Sequence, residues 1–443
     1  MYGIFCVLSS FQAYLCVLTS ALNLYFTFSS ALPAEREHSR WPCAGADWLQ
    51  GPYVYALYAH YGYNIQWIGI LFIVGFGTAA VFGTFIGSAA DRYGRKTLCL
   101  FFGLIYSVSC IVKHWGEFHM LMTGRILAGV GTSILFSSFE SWMVSQHHSA
   151  GYKEEWLSVT FSIATSGNGI VAIVAGVMAG AVRDKFGPVA PFDLSLVLLV
   201  IGSLIVALTW EENYGDRSAN VGSTMWSAVG RVFNDRKILL LGVVQSCFEG
   251  SMYIFVFMWT PSLESTSALP ILHGWIFASF MICVLIGSTV FGYLMRTGHR
   301  VERFTGYMLA VACVALFLPA FSSNHNVRLF SFFVFEACCG IYWPALGTMR
   351  SRYIPEEVRA TVMNIFRVPL NLIVVVVLIK IGSMAETSVY SLVALFLISG
   401  LIAQIMLLQL TVESPENEKK TNKDEEAPVD DEERELVVSS GSH

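Results

Sequence analysis

Charge is what this chain has least of. Asp, Glu, Lys and Arg make up 13% of its 443 residues, against about 25% in an ordinary soluble domain. Hydrophobic residues make up 55%, and the mean hydropathy is +0.58. A water-soluble core of this size is excluded. Catalytic signatures are also missing. The chain has no glycine-rich phosphate loop, no nucleophile elbow, and no histidine pair spaced with a carboxylate to hold a metal. His60, His114, His119, His147 and His148 fall near the ends of apolar runs, where they read as loop or interface residues. Cys99, Cys110, Cys247, Cys283, Cys313, Cys338 and Cys339 lie inside such runs, where a free thiol behaves as a small hydrophobe. No enzyme, cofactor or metal site is expected.

The charge that is present is unevenly spread. From Thr411 to His443 there are eleven acids and four bases, a net of −7 against −5 for the whole chain. The segment 411–443 reads as a disordered acidic tail. Upstream, about twenty consecutive apolar residues suffice to cross a bilayer as a helix. Such windows occur near 46–63, 67–90, 97–113, 118–146, 157–183, 190–210, 238–262, 272–296, 304–321, 328–349, 361–382 and 387–410. A thirteenth run within 1–34 reads as an extra N-terminal helix. A cleaved signal is the alternative, because Ser30 to Ala34 resembles a poor cleavage site.

Basic residues orient the spans. One set of turns holds Arg92, Arg95, Lys96, Lys153, Arg217, Arg231, Arg236, Lys237, Arg296, Arg300, Arg303, Arg350, Arg352 and Arg359. The opposite set holds Lys113, Arg183, Lys185, Arg328 and Lys380. The first set is expected in the cytoplasm, together with the tail. The segment 211–237 separates six spans (46–210) from six more (238–410). Met225, Trp226, Val229, Val232 and Phe233 fall there at helical spacing opposite Arg231 and Asp235, as in a helix lying on the membrane surface.

The turn after the second span reads Gly87-Ser-Ala-Ala-Asp91-Arg92-Tyr-Gly94-Arg95-Lys96. This pattern resembles the loop between helices 2 and 3 of the major facilitator superfamily. The resemblance implies a cytoplasmic gate in which Asp91 meets a neighbouring helix N-terminus, whose dipole favours an anion. Gly292 to Arg300 is an eroded copy after the eighth span. Arg125-Ile-Leu-Ala-Gly129-Val-Gly131 resembles a fourth-helix element of the same superfamily. The fold implied is an all-α membrane protein of two six-helix bundles related by a pseudo-two-fold axis, plus the extra helix.

A charge inside such a bundle costs about 2.5–3.5 kcal/mol on insertion scales, so each one needs a reason. Arg125 is a candidate for substrate binding or coupling, or else a structural pair with Glu140 or Asp47. Arg367 lies about two turns into the eleventh span, between Asn364 and Asn371 and just before Pro369, a helix-ladder breaker. A guanidinium fork matches paired oxyanion oxygens, which makes Arg367 the preferred substrate ligand; pairing with Glu336 is the alternative. Asn168, in a glycine-rich fifth span, and Gln50 and Gln245, in the first and seventh, are further polar ligands. Glu140, Glu249 and Glu336 are proton-carrier candidates, with helix pairing as the alternative for each.

Longer segments narrow the resemblance. Ala46 to Tyr53, Phe139 to Trp142, Gly187 to Phe192, Trp210 to Tyr214, Phe257 to Pro261 and Phe366 to Leu370 are similar to segments of the eukaryotic molybdate-anion transporters. That resemblance implies uptake of molybdate across the cell membrane. Transport of another anion, such as sulfate or an organic anion, and a non-transporting scaffold or sensor remain open alternatives.

Overall fold

The computed structural model describes residues 41–152, 154–215 and 230–412. The expected N-terminal helix, residues 216–229 of the linker and the acidic tail beyond residue 412 lie outside these residues; of the expected amphipathic face, Val232 is buried and Phe233 exposed. Every regular element described is helical. The first span is α1 (Trp41–Gln50), a 3-10 turn at Gly51–Tyr53 and α2 (Val54–His60). Next come α3 (Ile65–Tyr93), α4 (Arg95–Ile111), α5 (Phe118–Leu135), α6 (Ser138–Ser149), α7 (Glu154–Phe186) and α8 (Ala190–Thr209). The second half holds α9 (Arg236–Glu264), α10 (His273–Arg296), α11 (Val301–Phe317), α12 (His325–Tyr353), α13 (Glu356–Lys380) and α14 (Glu386–Val412). Eleven helical segments among the described residues are long and apolar enough to cross a membrane, with α5 and α6 together forming one. The broken first span supplies the twelfth.

Local chemistry sets several boundaries. Asn64, Asp235 and Asn324 accept the free N–H groups that open α3, α9 and α12. Gly94, at φ +103°, makes the sharp turn between α3 and α4. Three sequence expectations need correction. The first span starts at Trp41, five residues early, and pauses where Pro52 removes a donor. The fourth breaks after Leu135 and resumes at Ser138. The eleventh runs unbroken through Pro369.

The helices pack in corresponding pairs. In the first half α3 lies on α5, α1 on α8 and α7, and α4 on α8 and α5; in the second, α10 lies on α12, α9 on α14 and α13, and α11 on α14 and α12. Two seams join the halves, α7 on α10 and α3 on α13. A two-fold operation that exchanges the halves exchanges these two seams, so the pseudo-symmetry extends to the interface.

Contacts that bridge the seams gather at the end away from the basic turns. A Cβ on Gly274 would stand 2.3 Å from the Gly176 carbonyl oxygen and 2.8 Å from Gly180 N, so glycines let the α7 and α10 backbones touch. The Gly274 N–H donates to the Tyr53 hydroxyl at 3.2 Å. Gly69 meets Leu378 and Ile381 on the other seam, and Phe257 sits edge-on against both Tyr55 and Phe72. The molecule is closed at this far end.

Candidate functional site

Four helices place polar side chains around the middle of the interface, against a wall formed by α3. Arg367, on α13, is exposed and reaches across the seam; a Cβ on Gly83 of α3 would stand 3.6 Å from its Nη1 and 3.7 Å from Ser133 Oγ of α5. Ser133 itself donates to the Ala79 carbonyl at 2.8 Å. Glu249, buried on α9, accepts from the Tyr342 hydroxyl at 3.0 Å and pairs with Arg350 Nη2 at 3.2 Å. Arg367 is within electrostatic range of Glu249 and of Tyr253, whose ring meets Phe76 of α3 at 4.8 Å. Gln245 lies one turn from Glu249, with its Oε1 buried and unpartnered among the described residues. Asn371 donates its amide to the Arg367 carbonyl at 2.8 Å, which fixes the turn carrying the guanidinium.

Arg125 is held differently. Its Nε donates to the Leu71 carbonyl at 3.2 Å, and its guanidinium lies 5.0 Å above the Phe72 ring. A Cβ on Gly75 would be 2.3 Å from Nη2, so glycine is required for the arginine to lie flat on α3. Asp47 accepts from the Tyr106 hydroxyl and stands within electrostatic range of Arg125 without forming an ion pair. The pairings considered from sequence, Arg125 with Glu140 and Arg367 with Glu336, do not form among the described residues. Glu140 instead lines a cavity of about 660 Å³ at the basic end, with Arg95, Ser141, Ser145 and His148. Glu336 is buried on α12 with no hydrogen bond or ion pair among the described residues.

Two other sequence candidates are engaged within the first half. Gln50 Oε1 accepts from Lys113 Nζ at 2.9 Å, and its Nε2 donates to Ser195 Oγ at 2.9 Å. Lys113 is 1% exposed, donates also to Ser109 Oγ and lies 4.9 Å above the Phe192 ring. Sequence placed Lys113 and Arg328 in turns at the far end. Both are buried instead, because side-chain partners replace the water each gives up; Arg328 donates to Glu386 at 2.6 Å and to Ser262. Asn168 accepts from the Trp48 indole at 3.0 Å, close to the seam where Trp48 meets Phe277.

At the basic end the loop motif forms a clamp. Asp91 pairs with Arg95 at 2.8 Å, one turn away. The N-terminus of α4 is capped by Glu212 from beyond α8, whose carboxylate accepts from the backbone N–H of Lys96 at 2.8 Å and of Thr97 at 3.0 Å. Lys96 Nζ returns the interaction, donating to the carbonyls of Ala207, in the last turn of α8, and of Trp210, just past it. Trp142 stacks on Trp210 at 3.6 Å, its indole donates to the Glu211 carbonyl, and Arg95 donates to the Ser141 carbonyl. Gly94 has a second reason to be glycine, since a Cβ would stand 2.5 Å from the Glu212 carboxyl carbon. Arg92 is exposed beside Tyr93, and Gly87 has open space around it. Sequence reasoning missed Glu212, Tyr342 and the inward reach of Arg350, which counts as a turn charge by position alone. The Trp-Glu-Glu-Asn-Tyr run was visible, but its partner segments are far away in the chain.

Comparisons with known proteins agree with this architecture. A family model described as sugar transporters with 12 transmembrane segments matches residues 42–331, and the major facilitator superfamily model matches 270–440. The molybdate-anion transporter of Xenopus tropicalis is 37% identical over 342 residues, covering 75% of each chain. That of Takifugu rubripes is 34% identical over 363 residues, covering 74% of this chain and 75% of its own. Among solved structures, a mutant of the nucleoside transporter NupG superposes with a TM-score of 0.69 at 12% identity, over 84% of this chain and 99% of its own. A peptide transporter, POT, in complex with sulfate gives 0.66 at 12% identity, over 85% and 94%. At such identity these two speak to the fold alone. The fold, the matched models and the molybdate-anion transporter relatives together establish that this multi-pass membrane chain belongs to the molybdate-anion transporter family of the major facilitator superfamily.

Proposed function

We propose that the protein takes up molybdate across the cell membrane by alternating access, with Arg367 as the principal oxyanion ligand. The observation that carries the site assignment is the Arg367 guanidinium, which crosses the α3–α13 seam at the middle of the bundle without an ion pair among the described residues. Its relatives' substrate is a tetrahedral dianion, and a guanidinium offers paired donors to paired oxygens. With the basic turns in the cytoplasm, closure at the far end makes this the inward-facing state. The halves would rock about the α7–α10 and α3–α13 seams.

Moving a dianion against an inside-negative potential costs about 2.3 kcal/mol per charge per 100 mV. Coupling to protons through the membrane-embedded glutamates would offset that cost. Glu249, beside the arginines, and Glu336, buried without a partner among the described residues, stand inside the bundle. Glu140 stands at its cytoplasmic mouth. Arg125 holds the opposing wall, and Gln245 and Asn168 offer further polar groups near the seams.

The test is cellular molybdenum measured by mass spectrometry after nanomolar molybdate exposure, at matched surface expression. Wild type should accumulate molybdenum in the presence of excess sulfate. Arg367→Ala should lose about tenfold or more, the scale of a lost charge-assisted contact. Wild-type accumulation no greater than that of untransfected cells would overturn the reading.

A further inference from the structure

Glu249 pairs with one guanidinium and lies within electrostatic range of a second. Its Oε1 takes one contact from Arg350 Nη2, at 3.2 Å, and one from the Tyr342 hydroxyl, at 3.0 Å. Arg350 is the fourth residue from the end of α12, yet it turns into the bundle instead of out to the basic end, and its Nε is buried with no partner among the described residues. Arg367, from α13, lies within electrostatic range of the same carboxylate and forms no ion pair with it. Each guanidinium carries five N–H donors. A single carboxylate oxygen therefore leaves most of this donor set unused, including one donor that water cannot reach. The other neighbours of Glu249 cannot take its place: Gln245 and Tyr253 on its own helix are neutral, and α14 presents Val393 and Gly400 to adjacent turns of α9.

We propose that Glu249 is an internal counter-anion which holds Arg350 and Arg367 in the empty transporter, and that a tetrahedral oxyanion displaces it, making Arg350 a further substrate-binding residue. This rests on the oxyanion-transport reading above. Four oxygens can engage donors from both arginines at once, including the Arg350 Nε that the carboxylate leaves unpaired. The displaced carboxylate would then lie beside a dianion within the bundle. Like charges that close disfavour each other, so Glu249 takes a proton from the water-filled side as the oxyanion arrives. One O–H bond forms on the carboxylate as one breaks in a hydronium ion, which leaves as water, and the neutral acid no longer competes for the guanidiniums. Proton and oxyanion thereby bind together, and the exchange itself couples them.

The experiment is equilibrium binding of radiolabelled molybdate to the full-length protein in lipid nanodiscs, at pH 6 and pH 8. Wild-type binding should weaken about tenfold as pH rises, because the ionised carboxylate competes. Glu249→Gln should bind at least as tightly as wild type at pH 6 and keep that affinity at pH 8. Arg350→Gln should weaken binding about tenfold at both values, the scale of a lost charge-assisted contact, with Arg350→Lys in between. Tyr342→Phe loosens the carboxylate without changing charge, and should tighten binding about twofold at pH 8. Retention of the wild-type pH slope in Glu249→Gln, or unchanged affinity in Arg350→Gln, would overturn the proposal. Absence of molybdate binding by wild type would instead remove the oxyanion reading on which it stands.

Discussion

The two halves share a packing plan but, outside the Arg328–Glu386 and Arg352–Glu302 pairs, hold their embedded charges differently. In the first half, the embedded charges are consumed where they lie. Lys113 is bound by Gln50 and Ser109, Asp47 by Tyr106, and Arg125 lies flat on Phe72 and Gly75. In the second, among the described residues, Arg367 has no ion pair, Glu336 has no partner, and Arg350 keeps a buried free donor. A buried charge with fixed partners makes a rigid wall, whereas an incompletely paired one is available to a ligand or a proton. On the mechanism proposed above, the first half would supply support and the second exchange.

Glycines on α3 offer the sharpest way to break this comparison. Gly75→Ala places a Cβ 2.3 Å from the Arg125 guanidinium, which must then move off α3 and give up its bond to the Leu71 carbonyl. We expect a stability loss of about 1–3 kcal/mol, the usual cost of overpacking, read as a lower melting temperature, together with at least a tenfold fall in molybdate uptake. Gly83→Ala, two turns on, meets Arg367 at an ordinary 3.6 Å and should leave both nearly unchanged. Equal effects at the two positions would mean that the arginines are held alike.

A smaller effect is expected at Lys113. Lys113→Met keeps the volume but leaves Gln50 Oε1 without its donor, a loss of about 1–3 kcal/mol for an unsatisfied buried acceptor. Thermal unfolding should register that loss while molybdate affinity stays at the wild-type value. A change in affinity with unchanged stability would move Gln50 and Lys113 into the substrate path.

The smallest change belongs to the clamp. Glu212→Gln retains one acceptor for the α4 N-terminus but removes the anion that suits the helix dipole, a difference of about 0.3–1 kcal/mol. It should lower the melting temperature slightly at low salt, and less at high salt as screening grows. No salt dependence would mean that Glu212 acts by hydrogen bonding alone.

Much of the fold was legible because a membrane helix satisfies its own backbone, so its existence depends on a local run of apolar residues. The twelve windows were readable for that reason, and Gly94 announced its turn. Boundaries were less so. Trp41 joins α1 early because the preceding charges end just before it, and the fourth span breaks after Leu135 with no proline to mark the place. Of the candidate site, Arg125, Arg367 and Glu249 stood out as charges within apolar runs. Their states did not, since Tyr342 and Arg350 reach Glu249 from 93 and 101 residues away.

The sequence alone determined membrane residence, the twelve core windows, the basic end and the family resemblance, because each depends on local composition or on contiguous motifs. Tertiary structure alone decided which charges are bound and which are free. It buried Lys113 and Arg328, brought Glu212 to the α4 N-terminus from beyond α8, and turned Arg350 inward. Pairing between helices depends on side chains distant in sequence meeting at hydrogen-bond range, and no local pattern encodes that meeting.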